Sequence, residues 1–222
     1  MRQTQRAARS VSRAVAVAMV MFVAAGGATV RGAELLDRVI AIVSGTVITL
    51  SDARAATALG LVDTAAAPDP VETALRWLVD RQIVLDEAAR SGAGEDDEAR
   101  LRREMDVIRR RFPSDAAYGA ALTRLGLNDT RAEALVRSTI VARQYVERRF
   151  VAVLPPTDEE LREFYLAHRD RFVRDGRQLS FEEAAGDVRA RAEQDRREQA
   201  IAAWMERLRR RADITEVYKP SR

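Results

Sequence analysis

The sequence predicts a mostly α fold: a multi-helix domain with a small β element formed by an N-terminal hairpin and a C-terminal strand. Three observations carry this expectation. Hydrophobic residues make up 47% of the 222 positions while aromatics make up only 5%, so the core must rest on Ala, Leu, Val and Ile, thin side chains that suit closely packed helices. The middle of the chain is punctuated by helix caps, prolines and glycines at helical lengths. The β-branched runs fall near the two ends, at 36–50 and 214–218.

The first thirty-odd residues stand apart. Met1 to Arg13 carries arginines and no acid; Ala14 to Ala25 (AVAVAMVMFVAA) is an uncharged apolar run; small residues, GGATVRGA, follow. A positive start, an apolar middle and a small-residue exit are the three parts of a secretory signal peptide. The predicted signal covers 1–32, with cleavage after Ala28 or Gly32. The apolar run is shorter than the ~20 residues a bilayer core demands, and an uncleaved anchor is the alternative. Arg6 and Arg9 are not adjacent, so no twin-arginine signal is present. The leader also explains the basic balance. Five arginines precede Glu34 without an acid, and subtracting them from the 37 basic residues leaves 32 against 34 acidic. A nucleic-acid role therefore finds no support in net charge.

Segment 36–50, LDRVIAIVSGTVITL, reads as two short strands about the turn dipeptide Ser44-Gly45. The nearly continuous apolar run 39–43 predicts a strand covered on both faces. Ser51 is the expected cap of a short helix over 52–61. After an Ala/Pro/Asp linker at 64–70, Pro70 suits the first turn of a long helix that runs to Arg90 and stops at Gly92 and Gly94. Its apolar positions cover a broad face, predicting a central helix. A third helix is expected over 96–112, opened by acids, closed by Arg109-Arg110-Arg111 and ended by Pro113. Ser114 caps a short helix that stops at Gly126; Asn128 or Asp129 caps the next, which leads to Phe150. Pro155-Pro156 breaks the chain, and Thr157-x-x-Glu160 is a capping box for a helix over 158–168. A connector at 173–179 precedes a long final helix over 181–212 and a β-prone tail at 214–218. An isolated hairpin is marginal in water, so the two β-prone ends are expected to pair.

Several of these stretches resemble the N-terminal domain of SurA-type periplasmic chaperones and of related parvulin-bearing foldases. LLDRVIAIVSGTVITLSD is similar to that family's strand–turn–strand–helix opening. ALRWLVDRQIVLDEAARSG resembles its second helix, with Leu78, Ile83, Leu85, Glu87 and Ala88 in matching places. Tyr118 to Phe150, followed by PPTDEELREFYLAHRDRF, resembles its helix pair and the TDEE-L-x-x-FY segment beyond; SFEEAAGDVRARAEQDRREQAIAAWMERLRRRADI resembles the helix and strand that complete the domain. The resemblance spans nearly the whole chain after the leader. It implies a helical chaperone domain at 33–172, completed by 180–222. In the family, one or two parvulin isomerase domains of about 100 residues each sit where this chain has only 173–179, room for a loop. Isomerase activity is therefore not part of what the resemblance implies.

The residues independently offer little for catalysis. There is no cysteine, so disulfides, thiolate zinc and a cysteine nucleophile are excluded. His168 is the only histidine, and its place in LAHRDRF suits a helix end. Glu95-Asp96-Asp97-Glu98 lacks the ligand spacing of a calcium loop and reads as a helix start. No phosphate-loop, nucleophile-elbow, HExxH or GxGxxG pattern occurs, and no cofactor is expected. Arg207-Leu-Arg-Arg-Arg211 reads as cations at a helix C-terminus. What remains is apolar recognition. Met105, Ile108 and Phe112 share one helical face, with Tyr118 and Leu122 after the turn; such side chains suit varied apolar peptides. Plain core packing is the competing reading, as it is for Trp77 and Trp204. The expected partners are unfolded or nascent exported polypeptides, including outer-membrane β-barrel precursors, in the periplasm and without ATP. A structural or assembly adaptor, or a self-associating module, with one dedicated partner is the alternative. The short hinge at Asp175-Gly176 would also favour a homodimer that exchanges the C-terminal helix.

Overall fold

A computed structural model describes residues 37–92 and 97–220; the signal expected at 1–32 lies outside them. The chain opens with strands β1 (Val39–Val43) and β2 (Thr46–Thr49), antiparallel about Ser44-Gly45. Both turn residues have positive φ, 48° and 84°, the type I′ requirement that a two-residue hairpin imposes and that glycine meets without strain.

Seven helices follow among the described residues. They are α1 (Leu50–Ala58), α2 (Pro70–Arg90), α3 (Glu98–Arg109), α4 (Asp115–Arg124), α5 (Asp129–Arg149), α6 (Asp158–Ala167) and α7 (Phe181–Arg211). A 3-10 turn at Arg169–Arg171 and a small hairpin, β3 (Val173–Arg174) and β4 (Arg177–Gln178), lie between α6 and α7. Strand β5 (Ile214–Glu216) comes last. The fold is mostly α, as the sequence predicts.

Local chemistry sets the boundaries. Thr49, not Ser51, caps α1. Its hydroxyl accepts from the Asp52 amide at 3.3 Å while Asp52 accepts from the Thr49 amide at 3.0 Å, a reciprocal pair that starts the helix earlier than expected. Asp69 caps α2, accepting from the amides of Val71 and Glu72, with Pro70 in the first turn. Ser114 and Asn128 cap α4 and α5. Asp97 caps α3, which ends at Arg109, three residues short of the expected Phe112. The 173–179 connector is more than a loop: Asp175-Gly176, at φ 51° and 74°, forms a second I′-like turn that pairs Val173 with Gln178.

The two β-prone ends do pair. The sheet order is β2-β1-β5, with Val43 opposite Ile214 and Ala41 opposite Glu216. The expectation that β1 is covered on both faces fails at two positions. Ile40, Ala41 and Val43 are fully enclosed, but Val39 and Ile42 face solvent, because a bulge between Val39 and Ala41 shifts the alternation. Tyr218 then donates its hydroxyl to the second oxygen of Asp69 at 2.8 Å, tying the tail to the cap of α2.

Two hydrophobic clusters result. The larger gathers β1, β2, α1–α5 and the C-terminal part of α7, around Ile40, Leu59, Leu78, Val136, Trp204 and Leu208. Each such side chain contributes about 1.5–3 kcal/mol by leaving water. The smaller joins α6, the β3–β4 hairpin and the start of α7 through Leu161, Tyr165, Phe172, Leu179, Ala184, Val188 and Ala192. Between the clusters, residues 193–203 of α7 contain no buried side chain.

Candidate functional site: an apolar groove between three helices

An apolar concavity lies where α2, α5 and α7 run beside one another. Helical spacing builds each wall. Trp77, Arg81 and Val84 come from α2; Ala142 and Val146 come from α5, continued by Phe150 at its end; Ile201 and Met205 come from α7. Steps of three, four or seven residues keep one face of each helix on the groove. Leu61 and Val151, from the segments after α1 and α5, close the rim around a volume of about 490 Å³. Trp77, Val146, Phe150, Ile201 and Met205 are only half-buried, so their apolar faces meet solvent within the groove. Val151 and Leu154, on the strand of chain leading to α6, are 76% and 78% exposed and extend the apolar surface beyond it.

The polar rim is largely occupied. Asp80 takes a two-point grip from Arg209, Nε at 2.8 Å and Nη2 at 2.5 Å, which also fastens α7 to α2. Arg143 faces Glu104 at 3.5 Å, and Glu147 faces Arg100 at 3.6 Å. Arg81 is different. Burial pushes its guanidinium down to about 10, so it stays charged at neutral pH. It lies 5.4 Å from the Trp77 ring, and its buried Nε–H has no acceptor among the described residues. Apolar walls with one buried donor form a surface for apolar side chains and a carbonyl or carboxylate oxygen. Among the described residues, no group of three His, Cys, Asp or Glu could hold a metal.

The five residues singled out from sequence are brought together, but inside the larger cluster. Met105, Ile108, Tyr118 and Leu122 are 4%, 2%, 4% and 3% exposed, and Phe112 is half-buried with its ring edge-on to Tyr118 at 5.4 Å. Burial raises the Tyr118 pKa, helped by the nearby Asp129 charge. Trp204 is core; Trp77 is half-buried, both packed against the larger cluster and lining the groove. His168 caps α6 with Nδ1 2.9 Å from the Phe164 carbonyl, the helix-end role its position suggested. Of the 95–98 acids, the two described ones act at the start of α3: Asp97 caps it, and Glu98 pairs with Arg137 at 2.6 Å. The groove residues carried only the ordinary helical apolar signal. Nothing in their spacing separated half-covered positions from covered ones.

No helix among the described residues is long and apolar enough to cross a membrane. No family model matches the sequence, and no curated protein matches it. A solved structure does. It comes from Campylobacter jejuni, from work describing the virulence factor PEB4 and the periplasmic protein Cj1289 as two structurally related SurA-like chaperones. It aligns over 82% of this chain and 100% of its own, with a TM-score of 0.53 and 10% sequence identity. An alignment that takes in the whole of that chain at so low an identity speaks to architecture, and the chain has the helical fold of the SurA-like chaperones.

Proposed function

We propose that this protein is an ATP-independent holdase that shields apolar segments of unfolded exported proteins, outer-membrane β-barrel precursors among them, in the groove between α2, α5 and α7. The carrying observation is the groove itself: half-buried Trp77, Phe150, Ile201 and Met205 around about 490 Å³, continued by exposed Val151 and Leu154. Monomeric proteins rarely leave such a connected apolar surface open without a use for it. The unpartnered Arg81 Nε–H is a donor for a client's main-chain carbonyl, which a side-chain-only contact would lack. The export signature at 1–32 and the likeness to SurA-like chaperones favour the periplasm as the site of action.

Met105, Ile108, Phe112, Tyr118 and Leu122 join client binding in this reading only if the α3–α4 corner opens, since four of the five are enclosed. Proline isomerisation is left out of the proposal, because α6 and α7 are joined only through a 3-10 turn and a two-residue-per-strand hairpin. Titration with an unfolded outer-membrane protein, followed by tryptophan emission, tests the groove. A saturable shift that disappears in Trp77→Phe supports it. A shift that survives that substitution places the client elsewhere. The adaptor reading would show instead as one stoichiometric partner on affinity capture, with no general effect on aggregation.

A further inference from the structure

Arginines converge where two helices end. The last turn of α5 carries Arg148-Arg149, and α7 ends in Arg207-Leu-Arg-Arg-Arg211. The two ends meet at Trp204, whose ring lies 5.4 Å from the Arg149 guanidinium and 5.5 Å, edge-on, from Phe150. A cleft of about 460 Å³ opens there, lined by Glu87, Arg149, Trp204, Arg207, Arg210 and Arg211. Its one carboxylate, Glu87, is already engaged by Arg90 at 2.7 Å. The side chains of Arg207, Arg210 and Arg211 make no hydrogen bond or ion pair with another described residue. They stand at i, i+3 and i+4, one face of the helix, where like charges repel.

A helix C-terminus favours a cation in its last turn. That accounts for single arginines, not for guanidiniums from two helices around one cleft whose one carboxylate, Glu87, already pairs with Arg90. We propose that this cleft binds a phosphate group. Three cations on one helical face, with a fourth held over an indole ring, concentrate charge at a point and suit a multiply charged group better than the spaced single charges of an acidic peptide. Guanidinium forks also match phosphate oxygens two at a time. A nucleic acid would need an extended basic track, and the chain beyond its leader carries 32 basic against 34 acidic residues. The phosphate can belong to an anionic lipid headgroup or to a soluble molecule.

The test uses the full chain, inorganic pyrophosphate followed by tryptophan emission, and sedimentation with vesicles of phosphatidylglycerol in phosphatidylcholine. Vesicles of phosphatidylcholine alone record what the N-terminal apolar run contributes. R207Q/R210Q/R211Q is compared with R102Q/R103Q/R110Q, three exposed arginines on or next to α3; a thermal melt checks that both are folded. At least a tenfold loss of binding in the cluster variant, with the control unchanged, is expected. Pyrophosphate binding without phosphatidylglycerol-dependent sedimentation assigns a soluble phosphate; sedimentation lost in the cluster variant assigns a headgroup. Binding of neither probe, or equal loss in both variants, overturns the proposal.

Discussion

The two hydrophobic clusters are built differently, and the contrast shows where this fold is rigid and where it can give. The larger draws on strands, five helices and the end of α7, so its members meet across long sequence separations. The smaller has seven buried residues, all from the contiguous stretch 161–192. It leans on local bonding instead. Two capping boxes open its helices at Thr157 and Ser180; Tyr165 donates to the Leu179 carbonyl at 2.6 Å; Arg177 grips Glu183 at 3.0 and 2.8 Å. Only α7 continues from one cluster into the other, through the stretch without buried side chains. Arg196 to Glu160 at 2.9 Å and Arg189 to Asp158 at 3.7 Å hold α6 against it. A region with few buried contacts and much exposed backbone bonding opens at lower free energy than the core it adjoins.

Core truncation sharpens the contrast most. Leu78→Ala, at a fully enclosed position, should cost about 2–5 kcal/mol and lower the melting temperature by roughly 5–15 °C. Val188→Ala, equally enclosed but in the smaller cluster, should lose roughly 1–3 kcal/mol locally. Amide exchange in α6 would quicken while the main melt stays nearly in place. Equal falls in the main melt for both variants would mean one cooperative unit and no separate lobe.

Removing the residues after Asp213 comes next. It deletes β5, its pairing with Ala41, Ile42 and Val43, the amide bonds from Val217 and Tyr218 to the Ile40 carbonyl, and the Tyr218–Asp69 bond. At about 1 kcal/mol per bond, a loss on the order of 2–4 kcal/mol in the larger cluster is expected, read by thermal melting. An unchanged melt would show that the terminal strand is ornamental.

The smallest effect is a pH response confined to the smaller cluster. Hydrogen bonds from Arg177 and from the Ser180 amide hold the Glu183 carboxyl down at about 2, against an ordinary 4.5. A depressed carboxyl stabilises the fold above its unfolded pKa, and that contribution is lost as pH falls from about 4.5 towards 2. Exchange in the first turn of α7 should therefore quicken over that window, and Glu183→Gln should flatten the response. Asp69, lowered by the Glu72 amide and by Tyr218, gives the larger cluster its own acid-sensitive contact at the tail.

Much of this organisation is legible in the sequence. Pro70, Ser114, the Thr157 capping box and the Ser44-Gly45 turn act over a few residues, so their meaning survives without tertiary context. The joining of the two β-prone ends followed from the weakness of an isolated hairpin. Where competing caps sat close together the reading slipped: Thr49 won over Ser51 because Asp52 could reciprocate. The Asp175-Gly176 hairpin reads as a loop in sequence because its strands are only two residues long. The site was the least legible part. Met105 and Ile108 on α3 and Ile201 and Met205 on α7 carry the same helical apolar signal, yet the first pair is enclosed and the second half-open. Which stripe is covered depends on neighbours that no local pattern records.

The most direct test of the account is suppression of aggregation of an unfolded outer-membrane protein, with proline-peptide turnover assayed on the same sample. The account predicts suppression by the unmodified protein without turnover, and loss of suppression in I201E, whose charge would line the half-open wall of the groove at a residue outside both hydrophobic clusters. Suppression undiminished by that substitution, or none from the unmodified protein, would contradict it.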